Sequence, residues 1–259
     1  MITADIFAKI LLTLVLTNAS VEQVQGFQLA KVEEVTDTLN ALVAELDAEI
    51  VETDAILSRL IPEDVIQQLK SGQDTGAREF DNVTVFFSDI ASFTVLSGRT
   101  DPRDMIKMLE RLWQNYDAIA KKWGVYKIET IGDAFFGVAG CPTETPDHAE
   151  RAVQFSLDIM EMIRDFRTQA GEPINIRVGL NSGPVTAGIL GETNPHYTVV
   201  GDTATVASRM EATSKPGRIH MNETTYNMVK DLGKFILSGP EPVEIKGVTT
   251  MTYWVDGRI

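Results

Sequence analysis

The chain has 259 residues, 44% of them hydrophobic, with 23 Lys and Arg against 37 Asp and Glu. That length holds one full-sized domain plus an appendage, and the mixed composition excludes a disordered chain. A net charge of −14 argues against a nucleic-acid partner, because phosphate backbones select basic faces.

The longest apolar run comes first, "IFAKILLTLVL" at residues 6–16. It carries Lys9, and it is shorter than the roughly 20 residues of a membrane helix. It also lacks the small-residue cleavage site of a signal peptide. Residues 1–27 therefore read as a segment without an assigned role, either a packing helix or a membrane-proximal remnant. Residues 28–60 contain no Pro or Gly. Val32, Val35, Leu39, Leu42, Leu46, Ile50, Leu57 and Leu60 follow an approximate three-four spacing, and acids crowd the other face. This predicts a two-stranded coiled coil with weak seam positions at Glu49 and Thr53, against the alternative of one amphipathic helix lying on its own domain. Pro62 opens a second short helix that ends at Gly72–Gly76, so 28–78 reads as a helical linker. The main domain is expected over 79–259.

Within it, strands and helices alternate. Strands are expected at Val83–Ser88, in a hairpin over 125–139, in a second hairpin of Ile174–Asn181 and Val185–Leu190 turning at "SGP", and at Gly217–Met221. Three further strands are expected near 235, 243 and 253. Helices are expected over Asp101–Trp123, Pro146–Thr168, Thr203–Thr213 and Glu223–Lys230. The order predicts an α+β fold with a ferredoxin-like βαββαβ core, its mostly antiparallel sheet covered by helices. In the first hairpin, Val125, Ile128, Ile131, Phe135 and Phe136 read as core, yet Glu129 and Asp133 sit among them. Buried carboxylates are costly unless compensated.

Asp89 ends the apolar strand in "VTVFFSDIASFT", and a helix follows from about Ser92. Main-chain N–H groups from Ile90 through Phe93 to Thr94 would line that strand–helix gap, where phosphate oxygens can bind. A ferredoxin-like core would bring Asp133, in the hairpin turn, toward Asp89. Two adjacent carboxylates repel unless a cation joins them. Mg²⁺ accepts few carboxylates and takes its other ligands from phosphates and water. The pair points to a nucleoside triphosphate site with magnesium.

Residues 80–256 resemble the catalytic domain of the class III nucleotidyl cyclases, of the guanylate rather than the adenylate type. The matching stretches are "FFSDIASFT", "YKIETIGDAFFGVAG", "IRVGLNSGPVTAGILG", "GDTATVASRMEATSKPGRIH" and "VEIKG". "LSRLIPEDVIQQLKSG" is similar to the linker that precedes such domains. The resemblance implies an enzyme converting GTP to cyclic GMP, with two Mg²⁺ or Mn²⁺ ions per site and a homodimer whose active sites are shared between chains. It also implies an upstream sensor and a cytoplasmic catalytic domain within a larger, membrane-attached protein. By the same resemblance Asp89, Asp133 and the main chain of Ile90 hold metal. Glu129 and Thr198 read the base, Arg209 stabilises the transition state, and Lys246 and Arg177 contact phosphates. A carboxylate at 129 suits the N1–H and 2-amino donors of guanine and opposes the N1 acceptor of adenine. Threonine at 198 can donate or accept, so it permits either base. One departure is Thr205, where the family carries a ribose-orienting asparagine. ATP as substrate, and a nucleotide-binding dimerisation module without turnover, remain the alternatives.

"GLNSGPVTAGILG" lacks the Gly-Lys-Ser/Thr of a Walker loop and reads as a tight hairpin with close backbone packing. His148, His196 and His220 show no zinc-like spacing and are assigned structural roles. Cys141, the single cysteine, reads as a small packing residue.

Overall fold

The structure, a computed structural model, describes residues 2–58, 61–72, 76–191, 193–245 and 247–259, with side chains from Lys9 onward. The chain divides into two compact units, 1–60 and 61–259.

The first unit is one helix, α1 (Ile2–Leu57). It runs without interruption through Gly26, across the boundary drawn between 1–27 and 28–78 from the sequence. Leucine- and alanine-rich sequence with a single glycine carries the helix across that point, since one glycine costs only about 1 kcal/mol. Val32, Val35, Leu39, Leu42, Leu46 and Ile50 are each exposed, between 49% and 61%. Leu60, the last expected seam residue, lies outside the described residues. No helix among the described residues is long and apolar enough to cross a membrane.

The second unit opens with α2 (Glu63–Lys70), where Ile61, Val65 and Ile66 are buried. Helix α2 thus belongs to this unit, although the sequence grouped it with the linker. The elements that follow are β1 (Arg78–Ile90), α3 (Phe93–Arg99), α4 (Pro102–Trp123), β2 (Val125–Ile131), β3 (Ala134–Ala139) and α5 (His148–Asp165). Then come β4 (Ile176–Leu190), β5 (His196–Val200), α6 (Asp202–Ala212), β6 (Arg218–Asn222) and α7 (Glu223–Val229). A short 3₁₀ turn (Lys230–Leu232), β7 (Phe235–Ile245) and β8 (Val248–Arg258) complete the chain. The sheet order is β2-β3-β1-β4-β6-β8-β7, with β5 added on β4. Its first four strands have the ferredoxin-like order. Among the described residues, only the β4–β6 pair is parallel.

Local chemistry explains the elements. Asp101 caps α4 by accepting from the Arg103 N–H at 2.9 Å, Pro102 fills the first turn, and Gly124 ends it at φ 65°. Met105, Met108, Leu112, Tyr116 and Ala120 form its buried stripe. On β1, Phe86, Ser88 and Ile90 face α4 and α5, and the Ser88 hydroxyl lies 3.1 Å from that of Tyr116. Alternation sends Phe87 and Asp89 to the opposite face, where α6 packs.

Several expectations need correction. The second hairpin does not exist. β4 is one 15-residue strand running straight through Ser182-Gly183-Pro184, and its hairpin partner is β5. Gly183 serves close packing there, because a Cβ would meet the Thr203 Oγ1 at 2.7 Å. The missing Pro184 N–H is tolerated where β4 exchanges neighbours, with β5 pairing from Thr186 onward. The strands near 235 and 243 are one bulged strand, β7. Ile131, read as core, is 60% exposed at the hairpin tip, and Ile128 is half-buried at a bulge. The helix expected over 146–168 is shorter, starting after Asp147.

His148, His220 and Cys141 are buried in the fold. His148 is buried and bonds the Thr84 hydroxyl at 2.8 Å, while His220 stacks on Trp254 at 4.1 Å. His196 is exposed. Burial pushes the Cys141 thiol up to about 11.

Candidate active site

Asp89, at the end of β1, is the direct cross-strand partner of Arg177 on β4. Gly132, at φ 64°, lets the β2–β3 hairpin turn tightly, and the turn delivers Asp133 beside Asp89. Burial, and then the neighbouring Asp89 carboxylate, push Asp133 up to about 7, against the opposing N–H groups of Asp133 itself and Ile90. Asp89 Oδ1 and Asp133 Oδ2 are both buried without a hydrogen-bond partner. Two orphaned carboxyl oxygens on neighbouring acids are what a hard cation would satisfy. No cluster of three or more His, Cys, Asp or Glu able to hold a metal occurs among the described residues. The pair therefore fits an ion that takes most of its ligands from water and substrate, as Mg²⁺ does.

The Ile90 side chain is 2% exposed and points into the core, so only its main chain is available to the site. Ser92 adopts a left-handed conformation, φ 62°, as the chain turns from β1 into α3. Phe93 packs on the core and Thr94 is exposed in the first turn, where helical N–H groups have no intrahelical acceptor.

Glu129 lies opposite Phe136, which lies opposite Phe87. The two rings stack at 4.4 Å and 11°. Cross-strand partners share a sheet face, so Glu129 is on the Asp89 face, half-buried rather than enclosed. Thr198 sits on β5 opposite Gly188, and its neighbour Tyr197 meets Tyr126 of β2 edge-on at 5.6 Å. β5 is thus held against the strand that carries Glu129.

Thr205 and Arg209 lie one turn apart on the exposed face of α6. With Ser208, Ala212 and Ile245 they line an open groove of about 330 Å³. The Thr205 hydroxyl makes only a long contact, 3.4 Å, to the Gly201 carbonyl. Arg209 has no ion-pair partner among the described residues. Lys246 lies outside the described residues, directly after Ile245.

Arg177 is engaged differently from the expectation of a phosphate-facing cation. Its Nη2 donates to Asp89 Oδ2 at 2.7 Å and its Nε donates to Glu211 Oε1 at 2.9 Å. Burial raises Glu211, with the Arg177 charge acting against it. Sequence reasoning missed Glu211 altogether. The contact joins α6 to a strand 34 positions away, and no local pattern marks it.

The structure therefore gathers Asp89, Asp133, Ile90 and Arg177 in one place, and Thr205 with Arg209 in another. Residues 75–257 match the family described as the adenylate and guanylate cyclase catalytic domain. The chain belongs to that family. The chain is 38% identical over 236 residues to the receptor-type guanylate cyclase gcy-5 of Caenorhabditis elegans, covering 87% of this chain and 21% of that protein. The chain thus spans about a fifth of the length of the curated relatives it matches. Among solved structures, the guanylate cyclase domain of RhGC from Catenaria anguillulae, in complex with GTP, is 60% identical. Its TM-score is 0.68, over 70% of this chain and 100% of that one. The catalytic core of a rhodopsin-guanylyl cyclase with converted specificity, in complex with ATPαS, is 58% identical with a TM-score of 0.69, over 71% of this chain and 100% of that one. Cyclase domains of this family generally use divalent metals, and the orphaned acid pair fits one.

Proposed function

We propose that the chain is the catalytic domain of a guanylate cyclase, converting GTP to 3′,5′-cyclic GMP and pyrophosphate. The observation that carries the reading is the Asp89–Asp133 pair with its two orphaned oxygens, on the same sheet face as Glu129. Asp89, Asp133 and the Ile90 main chain would hold two Mg²⁺ or Mn²⁺ ions, which would supply Lewis-acid activation of the ribose 3′-hydroxyl and charge neutralisation for the departing pyrophosphate. Glu129 accepts from guanine N1–H and the 2-amino group, and the Thr198 hydroxyl donates to O6. N–H groups at Phe93 and Thr94 bind the triphosphate together with Lys246 and, once released from Asp89, Arg177. Arg209 meets the charge that develops on the α-phosphoryl oxygens as the 3′-oxygen attacks in line. Thr205 positions the ribose.

Helix geometry supports sites shared between two copies of the chain. Arg209 and Glu211 are two positions apart on α6, about 200° around its axis. Glu211 faces Arg177 and the aspartates, so Arg209 projects away from the acid pair of its own chain. A second copy supplies the missing arginine. The receptor-type names of relatives support an upstream sensor and a place within a larger, membrane-attached protein, with the catalytic domain on the cytoplasmic side. Pairing of α1 along its exposed apolar stripe would bring the two cyclase domains together.

An ATP-using enzyme is the second reading, which Thr198 permits because its hydroxyl can donate or accept. Turnover of GTP and ATP, each with Mg²⁺ and Mn²⁺, separates the two. GTP is expected to be preferred, and Glu129→Lys to lose that preference by at least about tenfold, since unpaired polar groups discriminate strongly. A parent chain that turns over ATP better than GTP overturns the guanylate assignment, and no turnover with either removes the enzyme.

A further inference from the structure

The Asp89–Arg177–Glu211 chain is a charged network at the site that the proposed chemistry does not use as it stands. Arg177 is held at two nitrogens, Nε and Nη2, by two carboxylates. Its side chain is 30% exposed, that of Asp89 is 26% and that of Glu211 is 13%. Glu211, the most enclosed of the three, grips the guanidinium at Nε, close to the stem. Asp89 holds the outer edge at Nη2. The Glu211 anchor is fixed by backbone packing. At Gly179 on β4, two residues from Arg177, a Cβ would lie 2.0 Å from the Glu211 nitrogen. Only glycine lets α6 approach closely enough for Glu211 to reach the strand.

We propose that Glu211 is a positioning residue for Arg177, and that Arg177 is a built-in counter-ion for Asp89 which a divalent cation displaces. The proposal rests on the reading of Asp89 and Asp133 as cation ligands. A cation on Asp89 and the Arg177 charge compete for the same carboxylate. When the cation wins, Arg177 keeps its Nε bond to Glu211, so its charge stays paired. Its outer edge is then free for an anionic oxygen of the polyphosphate. Glu211 thus lowers the cost of vacating Asp89 and keeps the guanidinium at the site afterwards. Without the Glu211 charge, Arg177 clings to Asp89 and the cation has more to displace.

The test is Mn²⁺ binding to the whole chain in the absence of nucleotide, followed by electron paramagnetic resonance. Four proteins enter a double-mutant cycle: parent, Glu211→Gln, Arg177→Gln, and both together. Glu211→Gln keeps the shape and an acceptor for Nε but removes the charge. It is expected to weaken Mn²⁺ binding about five- to tenfold where Arg177 is present, and less than about twofold where Arg177 is already glutamine. Steady-state kinetics of Glu211→Gln should show a raised KM for the nucleotide with a smaller change in kcat, which a general loss of stability would not select. Should Arg177→Gln fail to fold, Arg177→Lys replaces it. Lysine keeps the charge but has no Nε–Nη edge pair, so the Glu211→Gln effect on Mn²⁺ should again shrink below about twofold. An equal loss of Mn²⁺ affinity in both backgrounds, or no loss in either, overturns the positioning role. If the parent binds Mn²⁺ and Asp89→Asn abolishes it while Glu211→Gln changes nothing, only this inference falls. If the parent binds no Mn²⁺, the cation-site reading falls with it.

Discussion

Asp133 is the residue where physical cost and proposed role meet most directly. Its carboxyl is raised to about 7 by burial and by Asp89. The raised value means that the folded state prefers the protonated acid. The metal-free domain therefore has this contribution to stability in full below the unfolded value of about 3.9, and loses it as pH climbs through about 7. Thermal unfolding in the presence of a chelator, compared across about pH 4 to 8, should show the parent losing stability relative to Asp133→Asn over that window. Parallel curves would show that the acid pair is not coupled. At Thr205, a hydroxyl that makes only a 3.4 Å contact stands at the exposed face of α6. An amide there would reach farther and offer both donor and acceptor. Thr205→Asn is expected to raise kcat severalfold, up to about 100-fold if ribose placement is the limit. A purified variant no faster than the parent would remove the positioning role given to residue 205.

At the scale of elements, the site depends on how closely α6 approaches β4. An added Cβ at Gly179 would meet the Ala207 carbonyl and the Glu211 Cα at 2.6 Å, all rigid backbone. Gly179→Ala is expected to destabilise the domain by about 1–3 kcal/mol or more, as overpacking does. It should also push Glu211 off Arg177. Urea unfolding of the variant reads the first effect; a midpoint equal to the parent's would mean that α6 shifts freely. The β2–β3 hairpin is the other precise element. Gly132 and the bulge between Lys127 and Glu129 set where Asp133 and Glu129 stand relative to β1. Bulges re-aim side chains near active sites, and this one puts Glu129 on the face of Asp89.

For the whole molecule, the proposed sharing of a site between two copies has a direct consequence. Asp133→Asn and Arg209→Ala chains are each expected to be nearly inactive alone. Mixed in equal amounts and allowed to exchange, half the dimers would be heterodimers, each with one intact site of two. About a quarter of parental activity should return. No recovery on mixing, with exchange verified by light scattering of tagged chains, would mean that each chain builds its site alone. Activity per chain should likewise fall on dilution.

Much of this was legible in the sequence. Alternating apolar strands, the Asp101-Pro102 cap and the 3.6-residue stripe of α4 are local patterns, and local patterns set the element order and the ferredoxin-like core. The acids were legible too, because Glu129 and Asp133 are anomalous in an apolar hairpin. What the sequence misread was non-local. "SGP" has turn composition, but Gly183 is used for a close approach by α6, and β4 runs straight through because β1 pairs along its length while β6 and then β5 pair with its other edge. Ile131 looked like core, yet the hairpin tip leaves it exposed. Glu211 carried no signal at all. Its meaning comes from a strand-to-helix distance that only packing decides, and packing alone turned Arg177 from a free cation into the partner of two carboxylates.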